Sequence, residues 1–278
     1  MSKRAFAIAA HPDDIEFMMA GTLALLGQVG YETHYMTIAN GSCGSTQYDA
    51  ETIATIRRQE SVAAAEHIEA IYHESLVNDL EILYEKGLLR QLGAVIRQVV
   101  PNIILTHSTW EYMEDHTNTC RLVLTAAFAR GMPNFAVQPP CPSTSSPVTV
   151  YHALPYGLRD PLRRRVRPGM YVDISSAMQV KREMLAIHRS QKEWLDTSQG
   201  IDSYLNAMTD MCEEVGRMSG RFVYAEGWTR HLHLGYCEQA ADPLSADLKS
   251  QALVDAAFEQ ELGWLPSLRT DADHVIDP

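Results

Sequence analysis

The segment that decides the fold is residues 4–16, which read RAFAIAAHPDDIE. Residues Arg4–Ala10 are a short apolar run that ends at polar side chains, as a buried parallel strand does. Residues Phe17–Leu26 are apolar at helical spacing and end near two glycines, which is typical of a helix C-terminus. A strand, a polar turn and a helix in this order predict the first unit of an α/β fold.

The same alternation continues along the first half of the chain. Further strands are predicted at Thr33–Ala39, Ala70–Val77 and Asn102–Thr106, and helices at Ile53–Ile68, Lys86–Val100 and Asp115–Ala129. This rhythm predicts a Rossmann-like three-layer α/β fold with a mostly parallel sheet and helices on both faces. In such sheets ligands bind at the carboxyl ends of the strands. The two most polar motifs, His11 to Asp14 and Glu114 to His116, follow the first and fourth predicted strands.

The second half has a weaker pattern. After the Pro- and Ser-rich loop of residues 133–147, strands are predicted at Val148–Ala153 and Tyr171–Ile174, and helices at Ser175–Arg189 and Ile201–Met218. These elements show no separate core of their own. We therefore expect one domain over residues 1–240 and an extension over residues 241–278, which packs on the domain or on a neighbouring subunit.

Composition excludes several classes of protein. The chain has 278 residues, of which 46% are hydrophobic and 21% are charged, with a net charge of −12. That charge argues against nucleic acid or an anionic membrane as the main partner. The longest apolar runs, such as residues 122–128, are far shorter than the roughly 20 residues of a membrane span. The five cysteines include no C-x-x-C pair, which argues against a thiolate zinc site. We expect a cytoplasmic protein.

The residues after the first strand suit a catalytic metal. Such a zinc site needs three nitrogen or oxygen ligands and an open position. His11 and Asp14 can supply two ligands, and Asp13 is then free to act as a general base. His116 is the best-placed third ligand, and His107 is the second candidate. The alternative is that the two aspartates only cap the next helix.

Several motifs in the same order resemble one enzyme family. The segment Ala10-His11-Pro12-Asp13-Asp14-Ile15-Glu16 resembles the signature of the LmbE-like (PIG-L) deacetylases. The resemblance extends to Arg57-x-x-Glu60, Asp115-His116 with Arg121, Tyr171-Val172-Asp173 with Lys181, His188-x-Ser190-Gln191, and Tyr224-Ala225-Glu226. It covers about residues 4 to 230. It implies an α/β enzyme that uses zinc to remove an acyl group from N-acetylglucosamine-type substrates.

The resemblance also implies a role for individual residues. The zinc ligands would be His11, Asp14 and His116, and Asp13 would be the general base. Substrate binding or support of the site would fall to Arg57, Asp79, Asp115 and His188. The implied partner is a small N-acyl amino sugar or glycoside, and relatives that form trimers or hexamers suggest a homo-oligomer.

Two departures from the family pattern concern the substrate more than the metal. Met113 stands where many members have a histidine three residues before the last ligand, and Asn40-Gly41-Ser42 lacks the acidic residue that often follows this glycine. The leaving amine would then be protonated by Asp13 itself or by one of Tyr112, His188, His231 and His233. Alternative functions are an amidase for non-sugar or thiol-conjugate amides, and an Fe(II) oxygenase with two histidines and one carboxylate. Fe²⁺ or another divalent ion could also occupy the hydrolase site.

Overall fold

The computed structural model describes residues 2–191 and 203–262. The strands are β1 (Arg4–Ala9), β2 (Glu32–Thr37), β3 (Ile71–His73), β4 (Ile103–Thr106), β5 (Thr149–Ala153), β6 (Met170–Asp173), β7 (Ala225–Arg230) and β8 (Ala252–Val254). The helices are α1 (Asp14–Met18), α2 (Ala20–Gln28), α3 (Ala50–His67), α4 (Lys86–Val99), α5 (Glu114–Ala129), α6 (Met178–Ile187), α7 (Ser203–Ser219), α8 (Pro243–Leu248) and α9 (Ala256–Glu261). The predicted start of the α7 helix at Ile201 lies outside the described residues.

The eight strands form one mixed sheet in the order β3-β2-β1-β4-β5-β7-β6-β8. The first five strands in this order are parallel to one another, and the pairs β5–β7, β7–β6 and β6–β8 are antiparallel. The predicted α/β class is confirmed. The antiparallel half was not apparent from the sequence, because its strands are short and follow no regular strand–helix alternation.

Alternate residues of each strand bury two separate cores. Ala5, Ala7 and Ala9 of β1 face a core that contains residues of α2, α6 and α7, whereas Phe6 and Ile8 face one built by α4 and α5. This alternation follows from the two-residue period of a strand. It places helices on both faces of the sheet, and the polar loops are left at its edges.

The long helix predicted at residues 17–26 is two helices that meet at Met19, where φ is −136°. Two buried side chains from the second half of the chain satisfy backbone groups at this break. Lys181 donates to the carbonyl of Phe17, and the Glu226 carboxylate accepts from Gly21 N and Thr22 N at 2.9 and 2.8 Å. Helix ends that are buried need such partners. Hydrophobic spacing carries no signal for a break that is made by distant residues.

The remaining differences are at the edges. The strand predicted at Ala70–Val77 is paired as a strand only over Ile71–His73, with an isolated bridge from Val77 to Ala39. Beyond residue 240, α8 buries Leu244 and Leu248, and β8 pairs with β6. The division at residue 240 stays a prediction, since residues 263–278 lie outside the described part. Within the described ranges, no helix is both long and apolar enough to cross a bilayer.

Candidate metal and catalytic site

The polar residues lie at the carboxyl edge of the sheet, at the position between β1 and β4 where the order of strand addition changes direction. Strands β2 and β3 lie on one side of β1, and β4 and β5 lie on the other. The loops after β1 and β4 therefore diverge and leave a crevice between them, which is the usual ligand position in this architecture. His11, Asp13 and Asp14 enter the crevice after β1. His107 and Glu111 enter it after β4, and His116 enters it from the first turn of α5.

Three side chains converge on one point in this crevice. One ligand atom from each of His11, Asp14 and His116 lies within 4.8 Å of the other two. His11 Nδ1 is 3.5 Å from Asp14 Oδ2, and His116 Nε2 is 3.4 Å from Asp14 Oδ1. Two imidazole nitrogens around one carboxylate match the donor set of catalytic zinc. The residues therefore fit a divalent metal ion.

The carboxylate of Asp115 lies behind His11. His11 Nε2 donates to Asp115 Oδ2 at 2.9 Å, which leaves Nδ1 to face Asp14. Burial lowers the pKa of His11, but its hydrogen bonds to Asp115 and Asp14 outweigh burial and raise the pKa to about 10. Asp115 also accepts from Leu80 N at 2.8 Å. A carboxylate in this position fixes the tautomer and orientation of a metal-ligating histidine.

Asp14 is an anion surrounded by imidazoles. Burial raises its pKa, but the charge of His116 and the neighbouring imidazoles of His107 and His11 outweigh burial, so the pKa lies well below the usual value. Its Oδ2 also accepts from His11 N at 2.7 Å. A carboxylate held ionised in this way is suited to bind a cation.

Asp13 occupies a different environment from its neighbour. Its φ of 97° is in the left-handed region, which costs a non-glycine residue about 1–2 kcal/mol. It precedes α1, but its side chain makes no capping hydrogen bond. Instead, Tyr204 donates to Asp13 Oδ2 at 2.7 Å, and Arg57 Nη2 lies 3.4 Å from the same oxygen. The alternative that this aspartate serves as a helix cap therefore has no support in the contacts.

Burial is the main influence on the titration of Asp13. It raises the pKa of this carboxyl group, and the Arg57 guanidinium opposes that rise. Arg57 is itself 3% exposed and donates to the carbonyl of Pro12. Arg57 thus contacts the turn that carries Asp13, and its burial argues against direct contact with a substrate.

The other residues named by the resemblance make contacts that hold the segments around the site in place. His188 is fully buried, with Nε2 3.4 Å from Glu16 Oε2. Asp79 accepts from Gly41 N and Cys43 N at 2.7 and 2.9 Å, so it shapes the loop after β2. Glu60 accepts two hydrogen bonds from Ser190. These motif residues hold distant segments together around the site.

Sequence reasoning missed two residues that contact the site. Tyr204 in α7 is 191 positions from Asp13, and no motif contains it. Glu111 is buried beside His107 and His116, and these three residues form a second group that could hold a cation. The only signal for Glu111 was its spacing, four residues after one histidine and five before the other. His107, the second candidate ligand, accepts a hydrogen bond from Ala10 N through Nε2 at 2.9 Å.

Exposed aromatic side chains border the crevice. The ring of Tyr112 meets the ring of His116 edge-on at 5.5 Å between centroids, and Tyr156 lies 6.0 Å from Tyr112. Both tyrosines are exposed, by 56% and 40% respectively. Burial, together with the charges of Asp13 and Asp14, raises the pKa of Tyr156. Of the four candidate proton donors to the leaving amine, Tyr112 is the one whose ring contacts His116, the predicted third ligand.

A cavity of about 680 Å³ adjoins the site on the side of the loop after β2. It lies between the first turns of α3 and the segment after β3, and Pro12, Ser42 and Asp79 form part of its wall. His11, Asp14 and His116 do not line it. The cavity therefore offers space next to the Asp13 turn and not at the metal position itself.

Comparison with known proteins agrees with this architecture. Residues 6–127 match the family model described as PIG-L: GlcNAc-PI de-N-acetylase. Residues 6–127 are a PIG-L, or LmbE-like, domain, as the motifs predicted. The matched segment contains the predicted metal ligands and the predicted base, which are His11, Asp14, His116 and Asp13.

Three relatives each align with most of this chain. Diacetylchitobiose deacetylase of Thermococcus kodakarensis is 28% identical over 235 residues, which is 81% of this chain and 82% of that one. A 4-oxalmesaconate hydratase of Pseudomonas putida is 26% identical, with 81% and 88% covered. The structure of N,N'-diacetylchitobiose deacetylase from Pyrococcus horikoshii superposes with a TM-score of 0.70 at 23% identity, covering 87% and 89%. The chain therefore has the fold of this structure, and the relatives that its sequence matches are enzymes.

Proposed function

We propose that this protein is a metal-dependent hydrolase that removes an acyl group, in the first instance acetyl, from the amide nitrogen of an N-acyl amino sugar or its conjugate. The observation that carries the proposal is the separation of two adjacent carboxylates. Asp14 faces His11 and His116, while Asp13 is held apart by Tyr204 and Arg57. One carboxylate is thus placed to bind the metal, and the other is available for proton transfer.

Different residues would bind the metal and transfer the proton. A zinc ion bound by His11, Asp14 and His116 would polarise the amide carbonyl and lower the pKa of water. Tyr204 and Arg57 both lie at Asp13 Oδ2, so Oδ1 is the oxygen that would accept the proton of the attacking water. Asp13 would then return this proton to the leaving nitrogen, with Tyr112 as the second donor. One water and one amide yield a carboxylic acid and an amine.

The surroundings favour a sugar-like substrate. Exposed aromatic rings such as Tyr112 and Tyr156 offer apolar faces and hydroxyl groups next to the ligand His116. The cavity beside the Asp13 turn could receive the remainder of a glycoside. The deacetylase relatives act on diacetylchitobiose, an N-acetyl amino sugar. We propose an action of the same class here, in the cytoplasm and with Zn²⁺ or Fe²⁺ as the metal.

Hydration of a carbon–carbon double bond is the second candidate. The Pseudomonas putida relative is a hydratase, and Met113 replaces the histidine that many deacetylases of the family carry. Against it, a polycarboxylate substrate would need free cations. Arg57 is already engaged by Pro12 and Asp13, and the net charge of −12 repels anions.

Product analysis distinguishes the two candidates. The purified protein, loaded with Zn²⁺ or anaerobically with Fe²⁺, should be assayed for acetate release from N-acetylglucosamine, diacetylchitobiose, N-acetylglucosaminyl glycosides and N-acetylated thiol conjugates. Loss of the ultraviolet absorbance of 4-oxalmesaconate should be followed in parallel. We expect acetate release from at least one sugar and no hydration. Hydration without acetate release from any amide would overturn the proposal, and oxygen uptake would indicate an oxygenase.

A further inference from the structure

Glu111 is a buried carboxylate that the proposed mechanism does not use. It follows β4 in the loop before α5 and is 5% exposed. Within the described residues, neither carboxylate oxygen has a hydrogen-bond partner at normal distance. Burial of a carboxylate without hydrogen bonds is unfavourable, so the groups that surround Glu111 indicate what it does.

Two imidazole rings lie next to this carboxylate. Glu111 Oε2 is 3.6 Å from His116 Nδ1, and Oε1 is 3.7 Å from His107 Nδ1. The two rings are stacked, with centroids 4.2 Å apart and an angle of 19° between their planes. His116 Nδ1 likewise has no closer partner in the part of the chain that the structure describes. A small shift of the Glu111 side chain would therefore bring its two carboxylate oxygens within hydrogen-bond distance of the two Nδ1 atoms.

The protonation of both rings can be argued from their other contacts. Ala10 N donates to His107 Nε2 at 2.9 Å, so Nε2 is an acceptor and the proton of a neutral His107 lies on Nδ1. His116 Nε2 faces Asp14 at the proposed metal position, so a neutral His116 that binds metal through Nε2 also carries its proton on Nδ1. Both N–H groups then point at the Glu111 carboxylate.

We propose that Glu111 is a positioning residue that holds the Nδ1–H of His116 and thereby directs Nε2 to the metal. This inference rests on the metal site of the proposed function. Asp115 has the same relation to His11, whose Nε2 donates to it at 2.9 Å. Each histidine ligand thus has a carboxylate behind it, which fixes its tautomer and makes the opposite nitrogen a stronger donor. The ring of His107 stacks on the ring of His116 and helps to fix its orientation.

A second metal ion between His107, Glu111 and His116 is the competing explanation for the cluster. It would require His116 to bind metal through both ring nitrogens. It would also require a lone pair on His107 Nδ1, which moves the proton of the neutral ring to Nε2, where Ala10 N already donates. The hydrogen bond of the main chain therefore opposes a second ion.

The test compares Glu111→Gln with Glu114→Gln, a matched variant. Glu114 lies at the start of α5 and is exposed, so its substitution makes the same change in charge without touching a ligand. Affinity for Zn²⁺ should be measured by competition with a chelator, and the visible absorption of the Co²⁺ form should report ligand geometry. We expect Glu111→Gln to weaken Zn²⁺ binding about 10- to 100-fold and to alter the Co²⁺ spectrum. The Zn²⁺ affinity of Glu114→Gln should stay within about twofold of that of the unchanged protein, because Glu114 contacts neither histidine.

Thermal unfolding of the metal-free proteins separates positioning from folding. Because Glu111 has no hydrogen-bond partner among the residues that the structure describes, Glu111→Gln should unfold at the same or a higher temperature without metal. Equal Zn²⁺ affinity for the two variants would overturn the inference. Two bound ions that fall to one in Glu111→Gln would overturn it in favour of a second site. If Glu111→Gln does not fold, Glu111→Asp keeps the charge but shortens the reach, and unchanged affinity in that variant would contradict the inference. Failure of the unchanged protein to bind metal would refute the proposed function itself.

Discussion

Asp13 and Asp14 are adjacent in the chain, yet the structure places them in opposite environments. Asp14 faces the imidazoles of His11 and His116, and interactions with histidines hold its pKa well below the usual value. Asp13 faces a phenol and a guanidinium, and burial raises its pKa. The left-handed backbone at Asp13 accompanies this divergence. The comparison shows that two residues of the same type acquire different ionisation properties from their surroundings.

The most severe disruption of the Asp13 environment should come from removal of its cation. Arg57→Met leaves a buried carboxylate without its charged partner and the Pro12 carbonyl without a donor. We expect a loss of about 3 kcal/mol in the free energy of unfolding, measured with urea. The matched control is Arg58→Met, which breaks an exposed ion pair with Glu74 and should leave the free energy of unfolding nearly unchanged. Equal losses would show that Arg57 has no special relation to Asp13.

Removal of the phenol should have an intermediate effect. Tyr204→Phe deletes the hydrogen bond to Asp13 Oδ2 and should reduce turnover about 10- to 100-fold, since a hydrogen bond to a charged group contributes about 1.5–3 kcal/mol. Zn²⁺ affinity should not change, because Tyr204 contacts no proposed ligand. Tyr31→Phe is the matched control: it deletes a phenol–carboxylate bond to Asp247 at 2.5 Å, away from the crevice. If both variants keep full turnover, Tyr204 does not orient the base.

Two histidines, like the two aspartates, have pKa values shifted in opposite directions by their surroundings, and the expected effect on stability is smaller. His11, between two carboxylates, has a raised pKa, whereas burial and the neighbouring His34 lower the pKa of His73 to about 4. The unfolded chain therefore binds a proton on His73 below about pH 6.5 that the folded protein does not bind. We expect the stability of the unchanged protein, relative to His73→Gln, to fall as the pH is lowered from about 6.5 to 4. A constant difference across this range would exclude the lowered pKa.

Much of the site could be predicted from the sequence because its residues lie within a few positions of strand ends. The apolar run of β1 located His11, Asp13 and Asp14 at one edge of the sheet, and a second polar motif after β4 supplied His116. The two strands are neighbours in the parallel sheet, which brings the motifs together. The assignment of roles stays a prediction, since it concerns chemistry that geometry alone does not measure.

What escaped prediction depends on contacts between distant segments. Tyr204 reaches Asp13 only through the packing of α7, and the break at Met19 depends on Lys181 and Glu226. Hydrophobic periodicity describes each segment by itself, so it carries no information about such partners. Glu111 was overlooked for a related reason. A role cannot be inferred for a carboxylate in a loop until the stacked histidines beside it are known.

The most direct test of the division between the two carboxylates is a paired measurement on Asp13→Asn and Asp14→Asn. Each isosteric variant should be analysed for bound zinc by atomic absorption, and for acetate release from the best substrate of the panel. Asp13→Asn should keep one zinc per chain and lose at least about 100-fold in turnover, as expected when a general base is removed. Asp14→Asn should lose the zinc. Full turnover in Asp13→Asn, or full zinc occupancy in Asp14→Asn, would contradict the account.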